Sequence, residues 1–311
     1  MDYRRLGDSG LKVSEIGLGC NNFGMRIDQD ATNAVIDAAI EHGVTFFDTA
    51  DVYGGQGKSE EMMGVAMKGK RQKVVLATKF AMQMGGPDKQ GGSRRYIMEA
   101  VEASLKRLQT DYIDLYQMHR PDPDTPIEET LSALDDLVTQ GKVRYIGNSN
   151  YAGWQIADAE WTARTEHLNR FVSAQNNYSL LERNVEREVS PACERFGLGV
   201  LPFFPLASGL LTGKYTRGEA PPEGTRMAAW GARAQAALSD KNFDKVEALQ
   251  GWAAERGHTM LELAFAWLLG HKVVSSVIAG ATNPEQVAAN AATAGWKLTA
   301  DEVAEVTKLA A

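Results

Sequence analysis

VTFFDTADVYG (residues 44–54), VVLATK (74–79) and YIDLYQMH (112–119) decide how this chain folds. In each, a short apolar, β-prone run gives way to a residue able to do chemistry. Asp48 closes the first run and Tyr53 follows it, Lys79 closes the second, and His119 closes the third. Short apolar runs separated by helical patterns predict parallel βα units. A carboxylate, a phenol, an amine and an imidazole at the C-terminal ends of three successive strands are what a parallel barrel needs for an acid–base site.

The same grammar continues in both directions. GLGC (17–20), VRYIGNS (143–149), FVSAQ (171–175), LGVLPFF (198–204) and VVSSVIAG (273–280) bring the runs to eight, with helical patterns between them. The expectation is an α/β protein, one (β/α)8 barrel domain over residues 1–311. A doubly wound sheet is the rival architecture. Its dinucleotide fingerprint would begin at Gly17-Leu18-Gly19, but the third glycine would fall at Asn22. Gly54 to Ser59 ends like a phosphate-binding loop, yet Val52 stands where that motif needs glycine.

Several boundaries are readable. Residues 3–16 predict a β-hairpin turning at Asp8-Ser9-Gly10, placed to plug the N-terminal end of the barrel. Thr125-Pro126-Ile127-Glu128 predicts an N-cap with proline in the first turn, and Gly141 predicts the stop of that helix. Ser93 and Asn283-Pro284 predict two further helix starts. Residues 205–240 form a connection too long to be a simple link.

Composition narrows the class. With 311 residues and 44% hydrophobic content, the chain can bury a large core. A net charge of −7 argues against a nucleic-acid surface. No apolar run approaches a membrane span. The two cysteines, Cys20 and Cys193, fit a reducing compartment, so the expected location is cytoplasmic. The histidines and cysteines show no metal-ligand spacing, and no metal is expected.

The four polar residues suit proton delivery to a carbonyl oxygen. A phenol is a weak acid at neutral pH. Lys79 is expected to lower its pKa, Asp48 to hold Lys79 charged, and His119 to orient the carbonyl. Such a site needs a hydride donor, which points to a nicotinamide cofactor and a small carbonyl substrate.

These stretches, with YRRLGDSGLKVSEIGLGC at the start and GATNPEQVAAN near the end, resemble the aldo-keto reductase superfamily. The resemblance implies that Asp48, Tyr53, Lys79 and His119 are a catalytic tetrad, with Tyr53 as general acid in the reduction of aldehydes or ketones. It implies that Ser149, Asn150 and Gln175 hold a nicotinamide carboxamide and that Phe203 stacks on the ring. Pro205 and Leu206 would lie along the pyrophosphate, Lys214 and Arg226 would meet a 2′-phosphate, and Gly280, Thr282, Gln286 and Asn290 would serve the adenosine end. NADPH is the expected cofactor, with NADH possible. Phe204, Gln286, Ala289 and Asn21 depart from the family pattern. Phe23, Phe80, Met82, Met84 and Trp230 are candidate walls of the substrate pocket. Some similar proteins are β-subunits of potassium channels, so a cofactor-binding, redox-sensing interaction subunit is the alternative. The sequence leaves the oligomeric state open.

Overall fold

The computed structural model describes residues 1–230 and 234–311, apart from the side chains of Arg226 and Gln235. Ten strands follow in chain order: β1 Tyr3–Arg5, β2 Lys12–Ser14, β3 Ile16–Gly19, β4 Phe46–Asp48, β5 Val75–Phe80, β6 Ile113–Met118, β7 Val143–Ser149, β8 Phe171–Asn177, β9 Gly199–Phe203 and β10 Val277–Gly280. The last eight form one parallel sheet in the order β10-β3-β4-β5-β6-β7-β8-β9. A parallel bridge between Val200 and Val274 brings its two ends together. With helices between successive strands, this is the expected (β/α)8 barrel.

Strand alternation fills the interior in tiers. Phe46, Ala77, Leu115, Leu201 and Ile278 form an apolar cluster with Leu6 and Val13 of the hairpin. The β1–β2 hairpin pairs Tyr3 with Ser14 and Arg5 with Lys12, and its apolar side chains close the lower end as expected. One step up each strand, the inward positions become Asp48, Lys79, Gln117, Ser149 and Gln175, all buried. The polar site therefore rests on an apolar floor. A much larger cluster packs the outside of the barrel against the helices.

Most helix ends fall where the sequence puts them. Ser93 caps the helix Arg94–Leu108, accepting from the Tyr96 N–H. Asn283 caps the helix Pro284–Ala292, its Oδ1 accepting from the Gln286 N–H at 2.9 Å. Gly141 takes the left-handed conformation that ends a helix. The predicted Thr125 cap is corrected. That helix runs Ile127–Thr139, Pro126 stands at the cap position, and the Thr125 hydroxyl instead donates to Asp122 Oδ2 at 2.7 Å. Cys193 is a buried thiol, as expected of a core cysteine. Among the described residues, no helix is long and apolar enough to cross a membrane.

The long connection after β9 carries a 3-10 segment, Ala207–Thr212, and two short helices, Arg226–Trp230 and Ala234–Ala237. It is tied down at two points. Arg217 donates to Asp244 at 2.6 Å and to Glu247 at 2.9–3.0 Å, and Arg26 donates to the Gly224 carbonyl at 2.6 Å.

Candidate active site

The site begins with Asp48, the last residue of β4. Its Oδ2 accepts from Lys79 Nζ at 2.6 Å. Lys79 is fully buried, so the ammonium survives only because it is paired. It also donates to the Thr49 carbonyl at 2.8 Å and reaches the Tyr53 hydroxyl at 3.5 Å. The Tyr53 turn depends on glycine. Gly54 has φ 70°, and a Cβ there would come within 2.7 Å of the Phe23 carbonyl oxygen. The His119 ring meets the Tyr53 ring edge to face, with centroids 5.7 Å apart.

The electrostatics correct one expectation. Burial lifts the Tyr53 phenol above its ordinary pKa, and Asp48 adds to the rise. Lys79 pulls it down, as expected, but does not prevail. The phenol therefore keeps its proton at neutral pH. For Lys79, burial works against the charge, but Asp48 and Tyr53 outweigh it and the ammonium sits above its ordinary value. His119 is driven down to about 3 by burial, then by Lys79 and Arg120, so its ring is neutral.

A groove of about 750 Å³ leads away from this cluster. Asp48, Tyr53 and His119 line one part of it, and Lys79 stands behind them. Ser149, Asn150, Gln175, Phe203, Pro205, Leu206, Lys214, Gly280, Thr282, Gln286 and Asn290 all line the same groove. Arg226 opens a short helix, but its side chain lies outside the described residues.

Local geometry fixes these residues. Asn150 has φ 61° at the turn after β7, and its amide donates to the His119 carbonyl and to Ser149 Oγ. The Ser149 hydroxyl donates to the Gln175 carbonyl at 2.9 Å. The Thr282 N–H donates to Gln286 Oε1, which holds the turn before the last groove helix.

None of the five proposed pocket walls lines the groove. Phe23 and Phe80 are fully buried. Phe80 follows inward-facing Lys79, so alternation turns it outward, where it stacks on Tyr116 at 4.8 Å. Met82 and Met84 are half-buried and Trp230 is exposed. Asn22, Arg26, Thr225 and Leu261 also line the groove, with no local sequence pattern that marks them. Gln117 also faces inward, and its place two residues before His119 in a strand is the signal that marks it.

A (β/α)8 barrel with a carboxylate, a phenol, an amine and an imidazole gathered at the strand C-termini beside a long groove has the architecture of an enzyme, and the comparisons make it an oxidoreductase. The chain belongs to the aldo/keto reductase family, whose model matches residues 15–311. It is 41% identical to the uncharacterized oxidoreductase YrpG of Bacillus subtilis, over 92% of this chain and 89% of that protein. It is 39% identical to a probable voltage-gated potassium channel subunit beta of Oryza sativa, over 93% and 90% of the two chains. It is 36% identical to versiconal hemiacetal acetate reductase of Aspergillus parasiticus, over 97% and 95%.

Proposed function

We propose that this chain, acting as one domain, reduces aldehydes or ketones to alcohols with NADPH, and that Tyr53 gives the proton to the carbonyl oxygen. The observation that carries the reading is the Tyr53 hydroxyl, 3.5 Å from Lys79 Nζ, opening into the same groove as the capped helix Pro284–Ala292.

The groove's side chains fit a nicotinamide dinucleotide. Ser149, Asn150 and Gln175 offer amide and hydroxyl groups for a carboxamide, and the Phe203 ring lines the groove close by. Pro205 and Leu206 would flank the pyrophosphate. Lys214 and, by resemblance, Arg226 would meet the 2′-phosphate that separates NADPH from NADH. Gly280, Thr282, Gln286 and Asn290 would take the adenosine end, where the N-terminus of a capped helix favours anions. Gly280 keeps this part of the groove open, since a Cβ there would meet Asn22 Nδ2 at 3.1 Å.

When bound, the reduced nicotinamide supplies the hydride. The chain's own residues manage the proton. Tyr53 holds it at neutral pH because burial raises the phenol. Lys79, fixed by Asp48, stabilises the phenolate left after transfer. Neutral His119 can donate one N–H to the carbonyl oxygen and orient it without adding charge.

Loss of NADPH absorbance against a panel of aldehydes and ketones tests the reading. Turnover by the wild type, nearly abolished in Tyr53→Phe, is expected. Tight cofactor binding with no carbonyl consumed would overturn it. That outcome would favour the second reading, a cofactor-binding interaction subunit, which the similarity to proteins named potassium channel β-subunits supports.

A further inference from the structure

Asp48 is held by more than Lys79. Its Oδ1 accepts from Gln117 Nε2 at 3.0 Å and from Gln175 Nε2 at 2.9 Å. The two glutamines also touch each other, Gln175 Nε2 reaching Gln117 Oε1 at 3.5 Å. All these groups are buried, and Gln117 is fully enclosed. A carboxylate can only accept hydrogen bonds, so its presence dictates which way both amides face. Gln175 therefore spends its N–H donors inside the barrel, on Asp48 and Gln117.

Strand register builds the arrangement. Gln117 of β6 pairs directly with Lys79 of β5, and Gln175 of β8 pairs with Ser149 of β7. Both glutamines point inward at the height of Asp48. Two amides grip Oδ1 and leave Oδ2 for the ammonium. Without them the carboxylate could turn about its own bond, and the direction of the Lys79 contact would be lost.

We propose that Gln117 is a positioning residue: through Asp48 it sets where the Lys79 ammonium stands relative to the Tyr53 hydroxyl, and it locks the orientation of Gln175. This rests on the reading of the site as a carbonyl reductase. Gln117 touches neither the groove nor a reacting atom, so it acts only through its neighbours.

Two variants of the full chain test it. Gln117→Met keeps the length and removes the donor. Gln117→Glu keeps the shape and sets a carboxyl against Asp48. Loss of one charge-assisted hydrogen bond is expected to lower kcat of Gln117→Met by about tenfold or more. KM for the carbonyl should stay within about twofold. Gln117→Glu should be slower still, because donor chemistry rather than shape is required. A packing role would give the reverse ranking, with the isosteric Glu variant closer to wild type. Turnover of folded Gln117→Met equal to wild type would overturn the proposal.

A readout independent of turnover separates the two levels of inference. In 15N-labelled protein, the side-chain amide signals of Gln117 and Gln175 should move in Asp48→Asn, and that of Gln175 should move in Gln117→Met. If neither moves, the proposal fails. If both move but the wild type reduces no carbonyl, the reductase reading fails, while the hold of Gln117 on Asp48 stands.

Discussion

Tyr53 keeps its proton because burial lifts its pKa, and Lys79 only moderates the rise. Reduction is therefore expected to be insensitive to the phenol through neutral pH and to fall only in the alkaline range. Lys79→Met removes the group whose charge and hydrogen bond lower the phenol, so the alkaline limb of the pH–rate profile should move upward as the rate drops. A limb that stays in place would separate Lys79 from Tyr53. Tyr53→Phe should cost about 10²–10⁴-fold in kcat, with cofactor affinity kept, by steady-state kinetics and fluorescence titration. Asp51, two residues from Tyr53, makes a different prediction. It is buried, and its pKa is raised to about 7 by burial and then by Glu60, with Arg107 opposing. The folded chain thus binds its proton more tightly than the unfolded chain. This contribution to stability is fully present below about pH 4 and is lost as pH rises to about 7. Other carboxylates, such as Glu186 and Asp122, are lowered and slope the opposite way. The difference in melting temperature between wild type and Asp51→Asn should therefore vary with pH inside that window and be constant above it.

At the scale of elements, the strand ends were the legible part. An apolar run that stops on Asp48, Lys79 or His119 reports both a boundary and a direction, because alternation then fixes which neighbours face inward. The same rule, carried one residue further, turns Phe80 outward and Gln117 inward. A strand end marks the reactive residue plainly, whereas the facing of its neighbours shows only once the strand's inward tier is known. Thr125 failed as a cap for another reason. A hydroxyl beside Asp122 has a stronger acceptor than it has use as a cap, and no local pattern says which contact prevails. The loop after β9 was legible only as length. Its Arg217 contacts reach Asp244 and Glu247, far along the chain, and its Lys214 stands on the groove. Lys214→Ala should weaken NADPH binding by about 10–100-fold and leave NADH nearly unchanged. Equal losses, or none, in tryptophan-quenching titrations at fixed ionic strength would sink that role. Asn283→Ala removes a side-chain cap and should cost about 1 kcal/mol in denaturant unfolding.

For the whole molecule, the lower plug and the upper site depend on one continuous interior. Leu6, fully buried, carries the hairpin into the apolar cluster beneath the polar tier. Leu6→Ala should lower stability by about 2–5 kcal/mol in urea unfolding, with the catalytic geometry spared while the chain is folded. Closure has a further consequence. β10 pairs with β3, Val277 against Ile16, so the ring joins residues from opposite ends of the chain. During translation, this edge of β3 must wait unpaired until Gly280 has emerged. The groove waits with it, since Asp48 and Tyr53 are made long before Gly280 to Asn290. A nascent chain lacking β10 can own Asp48, Tyr53, Lys79 and His119 and still lack the Gly280-to-Asn290 side of the groove. A ligand that spans the groove is therefore expected to bind only once β10 has closed the ring.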